Sequence, residues 1–437
     1  MHTKTNVSET LTNPCMCNVR PDPVLQEANE LAFERLTTSE PVLRDIRPAM
    51  DVLPGMTATT ILTSGVTMPW SEYTGGQREA IIGGALFEGL AADKAEAVHL
   101  LTSGAIQVNG CHDYGCVGSL AGIYTASMPV FVVENQTFGN LGYCNLYEGT
   151  NPRRLNYGVY DEGVQTRLMF IQEVVAPVIA EALRASPGIP LKPVMKRALH
   201  MGDELHSRNT AASLLSLNEL FPFMLTADEN RIEAIRQTLE AITADHYFFL
   251  RLSMAAAKAT ADAAHGISGS SMVTAMAFNC RGFSIRVSGL GDEWFAGPHA
   301  SVEARLFNGH SEDEITWMGG ESPIIETIGA GAFAQAAAFP LQQYQGGTPQ
   351  AMVERNLELY GITLGESPDF HIPYLGYRGT PTGIDLFRVL ETGILPSMDI
   401  GIAGRDGGQI GAGVVRAPRE CFEAAAQAYR QRYGTDQ

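Results

Sequence analysis

The chain has 437 residues, 45% of them of hydrophobic type, and carries a net charge of −18 from 48 acidic and 30 basic residues. At roughly 150 residues per domain this length holds about three domains with sizeable cores. The acidic surface repels polyanions, which sets nucleic acid and anionic membranes aside as partners, and no run reaches the roughly 18 apolar residues that a membrane span needs.

Met1 to about Pro23 is polar, punctuated by Pro14, Pro21 and Pro23, and reads as a disordered leader (residues 1–23) without the apolar stretch of a secretory signal. Seven cysteines, an odd and sparse set, read as reduced thiols of a cytoplasmic protein rather than as a disulfide framework. The single Cys111-x4-Cys116 pair falls short of the paired clusters of structural zinc, so no metal is expected.

The spacing of Leu25, Leu31, Ala32 and Leu36 predicts a helix over 24–36. A short buried strand at 58–62, helical patterns over 76–101 interrupted near Ala91-Ala92-Asp93, and strands at 106–108 and 130–133 follow. Residues 24–163 thus read as an N-terminal α/β domain. From 164 to 268 strand-like runs give way to helical periodicity over 169–185, 193–220, 232–239 and 248–263, which reads as a helical domain. Strands return in 269–437, a C-terminal α/β domain: a hairpin about Asn279-Cys280-Arg281-Gly282, a buried helix over 324–338, a Gly/Pro-rich stretch at 361–383 and a final helix over 418–430. The fold class expected is a multi-domain α/β (α+β) chain, two α/β domains flanking a central helical one.

Three segments could carry chemistry. In Met201-Gly-Asp-Glu-Leu-His-Ser-Arg-Asn209, a helix would put Asp203 beside His206 and Glu204 beside Arg208, and a carboxylate orienting an imidazole suits acid–base work. A solvated helix start with one ion pair is the plainer alternative. The glycine-studded 110–122 loop offers backbone N–H groups to an anion and His112 as an acid or base, or it is simply a turn. In the C-terminal third, Arg286 leads to Gly289 and Gly291, and Gln409, Gly411 and Gly413 lead to Arg416 as a second nest of donors. Glu326 and Glu391 sit in apolar runs and need partners, for which Arg286, Arg388 and Arg416 are the candidates. There is no Gly-x-Ser-x-Gly elbow, His-Glu-x-x-His or phosphate-binding P-loop, which disfavours α/β-hydrolases, zincins and P-loop enzymes.

At these residues the chain resembles the YlbE-like, or AllG-type, subunits of oxamate carbamoyltransferase. The resemblance runs from about residue 25 onward. It is carried by Met68-Pro-Trp-Ser-Glu-Tyr-Thr-Gly75, Leu86-Phe-Glu-Gly89, Cys111-His112, Thr125-Ala-Ser-Met-Pro129, the 201–209 segment, Arg286-Val-Ser-Gly-Leu-Gly291, Glu326-Thr327 and Gly408-Gln-Ile-Gly-Ala-Gly413 with Val415-Arg-Ala-Pro418. Where this chain has Asp113-Tyr114, the family pattern places a second His after His112, and the 365–380 region also departs. The resemblance implies a transferase of ureide and allantoin catabolism that interconverts a ureide such as oxalurate and phosphate with carbamoyl phosphate and an amide such as oxamate. It implies an oligomeric complex with two other subunit types, one resembling the acyl-CoA synthetase α-subunit, and no cofactor. A ureide or amide hydrolase and a non-catalytic scaffold subunit are the alternatives.

The chemistry so implied passes through a tetrahedral oxyanion and needs anion clamps, oxyanion donors and a proton donor. Arg208, Arg286 and Arg416 are the expected clamps. The loop N–H groups at 115–122 or 408–413 are the expected oxyanion donors, with Asn209, Gly289, Gly291, Gln409, Gly411, Gly413 and Glu326 about the substrate. His206 with Asp203 and Glu204, or else His112, would handle the proton.

Overall fold

A computed structural model describes residues 23–225, 231–245 and 247–434, in a mixed α/β architecture; the expected leader lies, but for Pro23, outside them. At its centre is the helix Phe248–Ala263. Its sequence is apolar on every side, and every residue except Asp262 is buried, as befits a helix enclosed by its neighbours. One flank lies on an antiparallel sheet ordered Leu141–Asn145, Pro129–Asn135, Pro41–Pro48, Ile189–Pro190. The approach is close enough that a Cβ on Gly142 would stand 2.5 Å from the Ala255 carbonyl. The largest apolar cluster runs from Ala28 to Phe370 and draws on all three sequence segments.

Beside this core, Thr60–Thr63 pairs in parallel with Gln107–Gly110 through the helices Gly75–Phe87 and Lys94–Ser103. Asp93 caps the second helix by accepting from the Glu96 N–H, and Gly104 ends it in the left-handed conformation. Buried Gln77 ties down the strand end by donating to Thr63 Oγ1 and the Ser64 carbonyl at 2.9 and 2.8 Å. The carboxyl ends of such strands are where α/β folds place ligands, and the 111–122 loop begins there.

Around the central helix stand Glu162–Phe170, continued through a π turn at Ile171–Val175 into Ala176–Ala185, and the helices Leu191–His200, Thr210–Met224 and Ile232–Ala244. The C-terminal part holds a three-stranded antiparallel sheet, Val273–Phe278, Phe283–Val287 and Trp294–Gly297. A four-stranded sheet is ordered Val302–Leu306, Gln409–Arg416, Ser397–Gly404, Ile315–Thr316. The Gly/Pro-rich stretch forms a hairpin, Thr363–Ile372 with Arg378–Ile384, and the helix Arg419–Tyr433 packs on the three-stranded sheet.

Two local expectations are corrected. Residues 201–209 form a turn between two helices rather than part of one, with Gly202 and Leu205 at φ of 96° and 77°. The 324–338 helix is broken into Ile324–Thr327 and a 3-10 segment at Gly331–Ala337, with Gly329 and Gly331 at positive φ between and at the start of the second piece.

Candidate functional site

A cavity partly open to solvent gathers segments distant in sequence: Ser119 and Leu120, the 147–157 loop, His206 and Ser207, the start of the central helix, residues 315–320 and strand residues 400–403 with Gln409. Two buried arginines define its polar part. Arg154 is 3% exposed and Arg251 2%. Arg154 donates to the Tyr147 hydroxyl, to the Gly149 carbonyl at 3.1 Å and to Gln409 Oε1 at 2.7 Å; Arg251 donates to Asn145 Oδ1 at 2.9 Å. Every one of these acceptors is neutral, and the Nε of each arginine is sealed from solvent without a partner among the described residues.

Among the described residues, neither nearby acid forms a hydrogen bond or ion pair with either arginine. Burial raises Glu148, against the N–H groups of Asn156 and Leu155 that its carboxylate accepts at 3.0 and 2.6 Å. Burial likewise pushes Asp245 up to about 7, with the Tyr247 N–H and the two arginines pulling the other way. Tyr247 and Tyr344 are raised by burial and stay neutral, and Gln409 donates to the Tyr344 hydroxyl while it accepts from Arg154. A buried guanidinium costs several kcal/mol unless an anion meets it.

His206 lines the same cavity. Its Nδ1–H donates to Glu326 Oε1 at 2.7 Å, which leaves Nε2 for the cavity. Glu326 Oε1 also accepts the N–H groups of Ala332 and Asp399, both at 3.1 Å. A Cβ on Gly331 would stand 2.2 Å from that oxygen, so the glycine is what admits the carboxylate. Asp399 accepts through Oδ1 from the Gln335 and Gln345 amides. Burial alone would lower the imidazole, but Glu326 and then Asp399 outweigh it and His206 is raised. Burial and repulsion from Glu326 lift Asp399 to about 6.

The other expected site residues lie elsewhere. Asp203 does not orient His206: its Oδ2 accepts the Ala212 N–H at 2.8 Å and so caps the following helix. Glu204 accepts the backbone N–H groups of His206, Ser207 and Arg208, and burial, then repulsion from Asp399, raises it. Both carboxylates brace the turn, the reason 201–209 leaves the helix. Arg208 donates to the Gly202 carbonyl at 2.9 Å and Asn209 to the His206 carbonyl at 2.8 Å. Arg416 pairs with Glu358 at 2.6 Å on a half-exposed surface. Gly411 and Gly413 form no nest; they are strand residues whose Cβ atoms would stand 2.6 and 2.2 Å from carbonyls of the neighbouring strand. Gly289 packs against the Ser270 carbonyl, Gly291 turns at φ 69°, and Glu391 is exposed rather than buried. Of the glycine loop, residues 115–118, 121 and 122 donate their N–H groups internally, Gly118 to Glu321 Oε2 at 2.7 Å. Ser119 and Leu120 have no acceptor for theirs among the described residues, and these two line the cavity.

His112 and Arg286 meet in a second buried cluster. Lys258 donates to His112 Nδ1 at 3.2 Å and pairs with Asp262 at 2.7 Å, and Arg286 pairs with Asp262 at 3.0 Å. Trp294 stands edge-on to His112. Burial first, then Lys258 and Arg286, hold His112 well below its usual range. None of these residues lines the cavity.

Sequence reading missed Arg154, Arg251, the tyrosines at 147, 157, 247 and 344, and Asp399. The signal available was Arg251 in Phe248-Phe-Leu-Arg-Leu-Ser-Met, an arginine in a stretch apolar on all sides. Pairing of Glu326 with His206 was also missed, because 120 residues separate them.

Residues 106–322 match the family model described as oxamate carbamoyltransferase subunit AllG. The chain is 41% identical over 409 residues to an uncharacterized protein, YahG, of Escherichia coli (strain K12), covering 93% of this chain and 86% of that one. It is 38% identical over 413 residues to the oxamate carbamoyltransferase subunit AllG of the same organism, covering 93% and 98%. A solved structure of a conserved protein of unknown function from Enterococcus faecalis V583 superposes with a TM-score of 0.90 at 38% identity, over 93% of this chain and 98% of that one.

Proposed function

This chain belongs to the AllG family of oxamate carbamoyltransferase subunits, and on that premise we propose that its cavity carries out carbamoyl transfer between a ureide and phosphate, within a cytoplasmic complex that includes other subunits. The observation that carries the reading is the pair of buried arginines, Arg154 and Arg251, whose acceptors are all neutral, beside an imidazole held by a carboxylate. Arginine forks suit phosphate and carboxylate oxygens, and the ligands of this reaction are anions.

In the cleavage direction a phosphate oxygen attacks the ureido carbonyl carbon, and the carbon–nitrogen bond to the amide breaks. Carbamoyl phosphate and the free amide leave. The phosphate hydroxyl gives its proton to His206 Nε2, which returns one to the departing nitrogen. Glu326 holds the ring in the tautomer that leaves Nε2 free and stabilises the imidazolium between the two transfers. The Ser119 and Leu120 N–H groups meet the oxyanion. Asp203, Glu204, Arg208 and Asn209 shape the turn that presents His206, and His112 takes no part.

The test is a panel of ureides incubated with and without phosphate, using the chain alone and then with candidate partner subunits, and assayed for carbamoyl phosphate. The expected result is carbamoyl phosphate formed only when phosphate is present. Ureide cleavage at the same rate without phosphate would make the protein a hydrolase. Activity that survives His206→Ala together with Arg251→Ala would place the chemistry on another subunit.

A further inference from the structure

The cavity has a second, apolar half. Phe278, Ile315, Trp317, Met318, Ile400 and Ile402 all line it, and all come from the two C-terminal sheets or the residues just after them. Ile400 and Ile402 are two apart on one strand and therefore share a face. Trp317 stacks with two rings, Phe278 at 5.0 Å and 21° and His299 at 4.8 Å and 13°. Stacked with two other rings, Trp317 is held at the wall of this half. A two-carbon acyl ureide and a phosphate are small, polar and served by Arg154, Arg251, His206 and the Ser119 and Leu120 backbone. They would leave the apolar half facing water, which is unfavourable.

Resting on the carbamoyl-transfer reading above, we propose that the ureide this site takes carries an apolar substituent, the size of a branched aliphatic or aromatic side chain, seated on Phe278, Trp317, Ile400 and Ile402. Its carboxylate shares the two arginines with the phosphate, and its carbamoyl carbon lies beside His206. The specificity-determining residues are then the aromatic stack and the two isoleucines, and the arginines supply affinity common to every member of the class.

The experiment is isothermal titration of the full chain with N-carbamoylglycine, N-carbamoylvaline, N-carbamoylleucine and N-carbamoylphenylalanine. Each buried methylene is worth about fourfold in affinity, so leucine's compound should bind at least tenfold more tightly than glycine's. Ile402→Thr, which keeps the β-branch, should erase most of that gain, and far-UV circular dichroism with thermal unfolding reports that the variant is folded. Arg251→Gln should weaken all four alike. Equal affinity across the series, with Arg251→Gln still weakening each, overturns this inference and leaves the carbamoyl reading standing. No binding of any of the four while oxalurate binds also overturns this inference alone; no binding of oxalurate or of the four overturns the carbamoyl reading with it.

Discussion

Arg251 and Lys258 lie seven residues apart on the central helix, which puts them on the same face, two turns and about 10 Å apart. Each is a buried cation within reach of a charged network that contains a histidine, yet the two networks differ in kind. Lys258 and Arg286 share Asp262, and His112, set among cations, is neutral. Among the described residues Arg251 and Arg154 are met only by neutral acceptors, and His206, set against Glu326, is raised and lines a cavity. Buried charge by itself therefore does not mark a site. What separates the two regions is whether the charges are already answered within the protein and whether space adjoins them.

The largest effect should separate the two histidines. His206→Ala is expected to lower turnover by about 100- to 10,000-fold, whereas His112→Ala should leave it near wild type; steady-state assays of carbamoyl phosphate formation check both. The two arginine pairs should separate next. Arg251→Gln should weaken binding of carbamoyl phosphate by about 10- to 100-fold, as the loss of a charge-assisted contact does. Arg286→Gln should leave that binding intact and instead reduce stability in urea unfolding by about 2 kcal/mol, since Asp262 keeps Lys258 but loses its second partner.

Removing the charge behind the imidazole is a smaller change. Glu326→Gln should cut turnover by about 10- to 100-fold and lower the titration point of His206 in an NMR titration, because the ring loses the carboxylate that raises it. Unchanged titration would show that Glu326 is only structural.

The smallest effect is on the pH dependence of stability, where the two regions carry opposite signs. In the first, His206 is raised, Asp399 sits at about 6 and Asp245, lifted by burial, at about 7. These groups hold protons more tightly when folded, so their contribution is full below the unfolded carboxylate range and is lost as pH rises through 6 to 7 and beyond. In the second, burial and then Arg286 bring His265 down to about 4, and His112 is also lowered. Those two contribute stability above 6.5 that is lost as pH falls toward 4. Between pH 4 and 6.5 the two regions therefore oppose one another, and above 6.5 only the first acts, so the unfolding temperature should fall from pH 6.5 to 9 and His206→Asn should flatten that fall.

Much of the fold was legible because periodicity reports burial locally. The helices over 24–36, 76–101 and 248–263 and the hairpin about 279–282 follow from side-chain spacing alone. The 201–209 segment was recognisable as dense in polar groups, but its shape was not. Spacing rules assumed a helix, whereas Asp203 and Glu204 turn their carboxylates onto backbone N–H groups and hold Leu205 at φ 77°. The partner of His206 was beyond local reasoning, since Glu326 reaches it only through a broken helix and the small residue at Gly331. Glycines misled in the other direction: at 411 and 413 they serve close strand pairing, which a run of Gly-x-Gly cannot distinguish from an anion nest.

The central claim is that the anion of the reaction is bound between Arg154 and Arg251, beside His206. A crystal structure of the chain with carbamoyl phosphate tests it most directly. The expected result is the phosphoryl group within hydrogen-bonding reach of both guanidinium groups, about 3 Å from nitrogen to oxygen, with the carbamoyl carbon facing His206 Nε2. Density for the ligand at Lys258 and Arg286, with the cavity empty, would contradict it.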